Sequence, residues 1–112
     1  MQLLMLILNK VDCLPDITAK LFAAGIHSTS ILDCEGALHA LYKDMDEPPL
    51  IYGSLRQSLN RDQTAKILLS VLAEDQVPTA KKIIDEAVGG IQNPNTGIVV
   101  TLPISSVEGL AK

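Results

Sequence analysis

Aromatic residues are nearly absent: one phenylalanine, two tyrosines and no tryptophan in 112 residues. The core must therefore be aliphatic, and the ring faces on which unpaired bases stack are missing. Lys and Arg never cluster and the formal net charge is −4, which removes the phosphate-directed attraction behind nucleic-acid binding. Cysteine is scarce too. Cys13 and Cys34 are too few for a disulfide framework or a metal knuckle, and His27 and His39 lack the i, i+4 spacing that would complete one. Both thiols are expected to be reduced, as in a reducing compartment. No apolar run approaches the roughly 18 residues that cross a bilayer. The first, Leu3 to Leu8, is too short for the core of a secretion signal, and neither positive charge before it nor a small-residue cleavage site after it is present. These absences point to a soluble, cytoplasmic protein. Walker-type loops and nucleophile elbows are also lacking, so catalysis and a catalytic cofactor have no support in the sequence.

What is present is aliphatic material: 47% of the residues are apolar and 20% charged, the balance of one globular domain over residues 1–112. Gln2 to Leu8 (QLLMLIL) has the length of a strand and is apolar on both alternate sets, Leu3/Met5/Ile7 and Leu4/Leu6/Leu8. From Pro15 to Ala24 a helical stripe runs through Leu14, Ile17, Leu21 and Phe22, with proline in the first turn, Asp16 near the positive dipole end and Gly25 as the cap. Ser28 to Cys34 is rich in β-favouring residues and reads as a second strand, stopped at Glu35-Gly36. Residues 37–63 mix charges with Pro48-Pro49 and Gly53 and read as a long loop; insertions of this size are commonly functional or mobile. Lys66 to Ala73 resumes a strand, Pro78 to Val88 a helix closed by Gly89-Gly90, and Ile98 to Leu102 a last strand stopped by Pro103.

This order, β-α-β-β-α-β, is that of the ferredoxin-like split motif, an α/β (α+β) sandwich in which a four-stranded antiparallel sheet carries two helices on one face. Right-handed crossovers make the first and second strands parallel, with the third between them. Three connections then meet at one edge: Asn9 to Cys13, the base of the long loop (Cys34 to Gly36 and Asp62 to Lys66), and Gly89 to Gly97. The same geometry sets Cys13 and Cys34 apart by about 10 Å, beyond a disulfide's reach.

Two helices cover one face only, yet the first, third and fourth strands are apolar on both. Leaving four to six large aliphatic side chains in water would forgo roughly 6–18 kcal/mol at about 1.5–3 kcal/mol each, comparable with a small domain's whole stability of about 5–15 kcal/mol. A symmetric oligomer built sheet to sheet, a trimer or a dimer, is the expected solution.

Two stretches, AAGIHSTSILDCEG from Ala23 to Gly36 and GIVVTLPI from Gly97 to Ile104, resemble the P-II nitrogen regulatory proteins, as do the element order and the long loop after the second strand. The resemblance implies a homotrimer that binds a small effector, an adenine nucleotide (ATP, ADP or AMP) among the candidates, in clefts between subunits. It also implies that the 37–63 loop engages a regulated enzyme, transporter or transcription factor in nitrogen or carbon metabolism, with no catalysis and no metal. Carried over by position, it implies ligand contacts at Ser30, Gly36, Lys66, Gly89, Gly90 and Gly97, and a partner-binding loop with Tyr42, Tyr52, Arg56 and Arg61. Two features depart from the family pattern. Ile98 follows Gly97 where relatives have a lysine, and Ser105 to Lys112 lacks their arginine pair. Phosphate charge would then fall to backbone N–H groups or to Arg56, Arg61, Lys66, Lys81 and Lys82.

Two other classes share this fold: a trimeric divalent-metal tolerance or binding protein, against which the poor Cys/His arrangement counts, and a dimeric ACT-like amino-acid-binding regulatory domain. Several candidates have plain readings beside the functional ones. The Gly89–Gly97 loop is an anion nest or simply a helix cap followed by a turn. His27 and His39 are ligands, pH switches or isolated imidazoles. Asp44, Asp46 and Glu47 collect a cation or are merely solvated. Cys34 beside Glu35 lacks the electropositive setting of a reactive thiolate.

Overall fold

The computed structural model of the chain describes residues 1–37 and 65–110. The elements are β1 (Gln2–Leu8), α1 (Leu14–Ala23), β2 (Thr29–Cys34), β3 (Ala65–Leu72), α2 (Val77–Val88) and β4 (Gly97–Pro103), with short 3-10 turns leading into each helix. Each predicted element is present, with boundaries shifted by a residue. β4 reaches Pro103 instead of stopping before it.

Both helices end through their glycines. After α1, Gly25 takes φ +87°, its N–H donates to Phe22 O at 3.0 Å, and Ile26 N–H donates to Leu21 O at 3.0 Å. This left-handed cap satisfies carbonyls that the helix leaves open and turns the buried Ile26 back onto the last turn. Gly89 repeats the device after α2 with φ +76°, where Gly90 N–H reaches Asp85 O at 2.8 Å.

The strands form one antiparallel sheet in the order β2-β3-β1-β4. Leu8 pairs with Lys66 on β3 and with Gly97 on β4, and Cys34 pairs with Ala65. The end of β1, the end of β2 and the starts of β3 and β4 therefore share one edge of the sheet, where the sequence places its three connections.

Parity decides which side chains enter the core. Leu4, Leu6 and Leu8 of β1 and Leu68 and Leu72 of β3 are fully buried together with Ile17 and Leu21 of α1 and Ala80, Ile84 and Val88 of α2. The opposite parity faces away from the helices: Leu3, Met5 and Ile7 on β1, in register with Ile67, Leu69 and Val71 on β3 and with Ile98, Val100 and Leu102 on β4. These nine aliphatic side chains make a continuous face that no described element covers. Ile98 and Leu102 are 58% and 45% exposed, and the central ones are half-buried by their neighbours.

Candidate functional site

The loop between α2 and β4 is tied by its own polar atoms. Asn93 N–H donates to Gly90 O at 3.0 Å, its side-chain amide donates to Gly89 O at 2.7 Å, and Ile91 N–H is taken by Asp85 Oδ1 at 2.8 Å. Thr96, only 5% exposed, lies with its hydroxyl 3.0 Å from Ile91 O and 2.7 Å from Asn93 O. Its own carbonyl accepts from Asn9 N–H at 3.0 Å and Lys10 N–H at 3.2 Å, which fastens the loop to the end of β1. Asn95 beside it occupies the left-handed region at φ +63°, a conformation asparagine tolerates. Donors at Gly90, Ile91 and Asn93 are thus consumed within the loop, and the capped-turn reading accounts for its glycines: Gly89 and Gly90 close α2, and Gly97 makes room for β1. Sequence reasoning missed Thr96 and Asn93, whose partners become neighbours only when the loop closes.

Lys10 reaches back to α2, donating from Nζ to Val88 O at 3.4 Å. Lys66 is committed to an ion pair with Asp33 across β2 and β3. By register that pair lies on the helix-bearing side of the sheet, whereas Ser30, opposite Leu69, lies on the open side. Ser30 and Gly97 also belong to the two outermost strands, separated by β3 and β1, about 14 Å apart at the usual spacing. The structure therefore does not gather Ser30, Lys66 and Gly97 around one point of a single chain. Gly36 lies two residues past β2, where a Cβ would meet nothing within 4 Å, so packing among the described residues does not require glycine there. Tyr42, Tyr52, Arg56, Arg61, His39 and the acidic residues Asp44, Asp46 and Glu47 lie outside the described residues.

His27 stacks on Phe22 at a ring-centroid distance of 4.5 Å, at the opposite end of the sheet from the loops. No group of three or more His, Cys, Asp or Glu among the described residues is placed to hold a metal ion. Cys13 and Cys34 are free thiols, both half-buried. No described helix is long and apolar enough to cross a membrane.

No protein-family profile matches the chain, and no curated protein matches it in sequence. Among solved structures it is similar to a functionally unknown protein from Pediococcus pentosaceus ATCC 25745, with a TM-score of 0.63 and 13% identity over 97% of this chain and 96% of that one. A likeness at this identity defines the fold: the chain is a ferredoxin-like α+β domain.

Proposed function

We propose that this chain is a non-catalytic, P-II-like signal transduction protein, assembled as a cytoplasmic homotrimer. A small effector binds in the clefts between subunits, an adenine nucleotide being the leading candidate. Occupancy changes the conformation of residues 37–63, which engage a regulated enzyme, transporter or transcription factor in nitrogen or carbon metabolism. The ligand acts by its differential affinity for the two loop states, so the partner reads the population that the ligand favours.

The observation that carries this reading is the nine-residue aliphatic face left open by the helices, at whose one edge the base of the long loop and the Gly89–Gly97 loop both arrive. Covering that face with further copies of the chain turns each sheet edge toward a neighbour and creates clefts beside the loops. Ser30 and Gly97, too far apart to share a ligand within one chain, are separated by a distance that a cleft between two subunits removes.

Sedimentation velocity and a thermal-shift screen test the proposal together. The expected results are a particle of three 12.0 kDa chains at micromolar concentration and a raised melting temperature with at least one of ATP, ADP, AMP, a cyclic dinucleotide, 2-oxoglutarate or bicarbonate, because a ligand that binds only the folded state stabilises it. A folded monomer overturns the reading, and a dimer redirects it to the ACT-like class. A trimer indifferent to every compound removes the effector role and leaves only the assembly.

A further inference from the structure

A groove of about 650 Å³ lies between α2 and β4, lined by Lys81, Lys82 and Asp85 on the helix and by Ile91, Gly97 and Val99 on the strand side. Its volume falls within the usual range of small-molecule sites, about 300–1,000 Å³. It is built within one chain, so it does not require the assembly proposed above.

The backbone of β4 contributes to this groove, and the direction of its polar groups follows from the ladder. Asn9 N–H donates to Thr96 O at 3.0 Å and Ile104 N–H to Met1 O at 3.1 Å, one at each end of the β1–β4 pairing. Hydrogen-bonded pairs alternate with non-bonded pairs in an antiparallel ladder. With Leu8 opposite Gly97 and Gln2 opposite Pro103, the inward-bonded residues are Ile98, Val100 and Leu102. Gly97, Val99 and Thr101 turn their N–H and C=O groups away from β1. Since β4 ends the sheet, no described strand takes them, and those of Gly97 and Val99 border the groove.

Charge selects the occupant. Lys81 and Lys82 are exposed and neither pairs with a described carboxylate, in a chain whose net charge is −4. The acidic residue at the groove, Asp85, already accepts the Ile91 N–H. Two adjacent ammonium groups beside outward backbone donors suit an oxyanion. The half-buried Ile91 and Val99 suit an apolar surface, and the paired N–H and C=O groups of the strand edge suit a planar group that both donates and accepts.

We infer that the α2–β4 groove is a binding site for an oxyanion-bearing small molecule with a planar polar body, a phosphate monoester or a carboxylate of about nucleotide size. Lys81 and Lys82 hold the oxyanion, and the Gly97 and Val99 edge holds the planar part. Lysine-borne charge also accounts for how such a site works with Ile98, an uncharged residue, following Gly97.

The test is a titration of the full-length 15N-labelled protein with AMP, ribose 5-phosphate, adenosine and phthalate, read by amide shifts and repeated on the Lys81→Gln/Lys82→Gln variant. Both lysines are solvent-facing, so the variant should fold, and an unchanged amide spectrum outside the groove verifies this. The expected result is saturable shifts at Gly97 and Val99 with AMP or phthalate, weaker ones with ribose 5-phosphate or adenosine alone, and at least a tenfold loss of affinity in the variant. Response to AMP without phthalate identifies a phosphate site, and the reverse a carboxylate site. No shift at Gly97 and Val99 with any probe at 10 mM, or shifts of equal affinity in the folded variant, overturns the inference. Because the readout is local to one chain, it stands or falls separately from the trimer: loss of the groove shifts leaves the sedimentation result intact, and a monomer that still binds AMP here refutes only the assembly.

Discussion

A Cβ at Gly97 would sit 2.5 Å from the carbonyl oxygen of Ile7, inside the distance any carbon tolerates. The backbone of β4 enters the sheet at this point with φ +156°, so the position combines a close approach with a conformation that L side chains rarely take. The contacting atom is main chain in a central strand and cannot swing aside. Gly97→Ala should therefore destabilise the fold by about 2–4 kcal/mol, measured by denaturant unfolding. Ligand binding lost in this variant would report the altered strand as much as any contact, which makes the lysines of α2 the better probes of the groove.

The open face predicts how assembly responds to charge. Met5 is central on it, with Leu69 on one side and Val100 on the other. Met5→Glu places a carboxylate where neighbouring copies would bury it without a partner. An unpaired buried charge costs several kcal/mol, so the association constant should fall by about 100-fold or more, seen as a shift to smaller species in sedimentation. The helix-side core, Leu4 and Leu6, does not touch this position, and the far-ultraviolet circular dichroism should keep its native shape. An unchanged mass would show that this face is not the contact between copies.

The fold was readable wherever a residue's role depends on its neighbours in sequence. The double parity of QLLMLIL foretells a strand with a core face and a second apolar face, and Gly25 and Gly89 foretell helix ends because a left-handed cap is a local need. Strand order follows from crossover handedness. The extra residues of β4 were less legible: Pro103 belongs to the strand because, opposite Gln2, its position turns the missing N–H away from β1. The candidate site was legible only in part. Lys81 and Lys82 are spaced like any solvated helix face, and nothing local marks them as bordering the free edge of a strand about 15 residues later. Likewise Lys66 reads as a free cation until Asp33 is placed across from it.

The loop lock at Thr96 predicts a measurable local effect. Thr96→Val keeps the shape and removes the hydroxyl that bridges toward Ile91 O and Asn93 O. Both carbonyls lose a donor in a largely buried position, so the cost should be about 1–2 kcal/mol. Hydrogen exchange should accelerate at Ile91 and Asn93, while the amides of Leu6 and Leu68 in the sheet core lose protection only by the global amount. A variant with unchanged loop exchange would mean that the Asn9 and Lys10 contacts to the Thr96 carbonyl hold the loop alone.

The Asp33–Lys66 pair sets the opposite expectation. Its side chains are 76% and 31% exposed, so water competes for both charges and the pair contributes about 0–1 kcal/mol. Asp33→Asn should change the unfolding free energy by less than about 1 kcal/mol, and the difference should shrink further in 0.5 M salt. Ile84→Ala, by contrast, removes a side chain with no exposed area and should cost about 2–5 kcal/mol regardless of salt. The comparison also separates two roles for Lys66. A lysine held only as a structural partner leaves effector affinity unchanged when Asp33 is neutralised, whereas a lysine that contacts an anionic effector binds it more tightly once its competing carboxylate is gone. Isothermal titration of the Asp33→Asn variant with whichever compound raises the melting temperature decides between them.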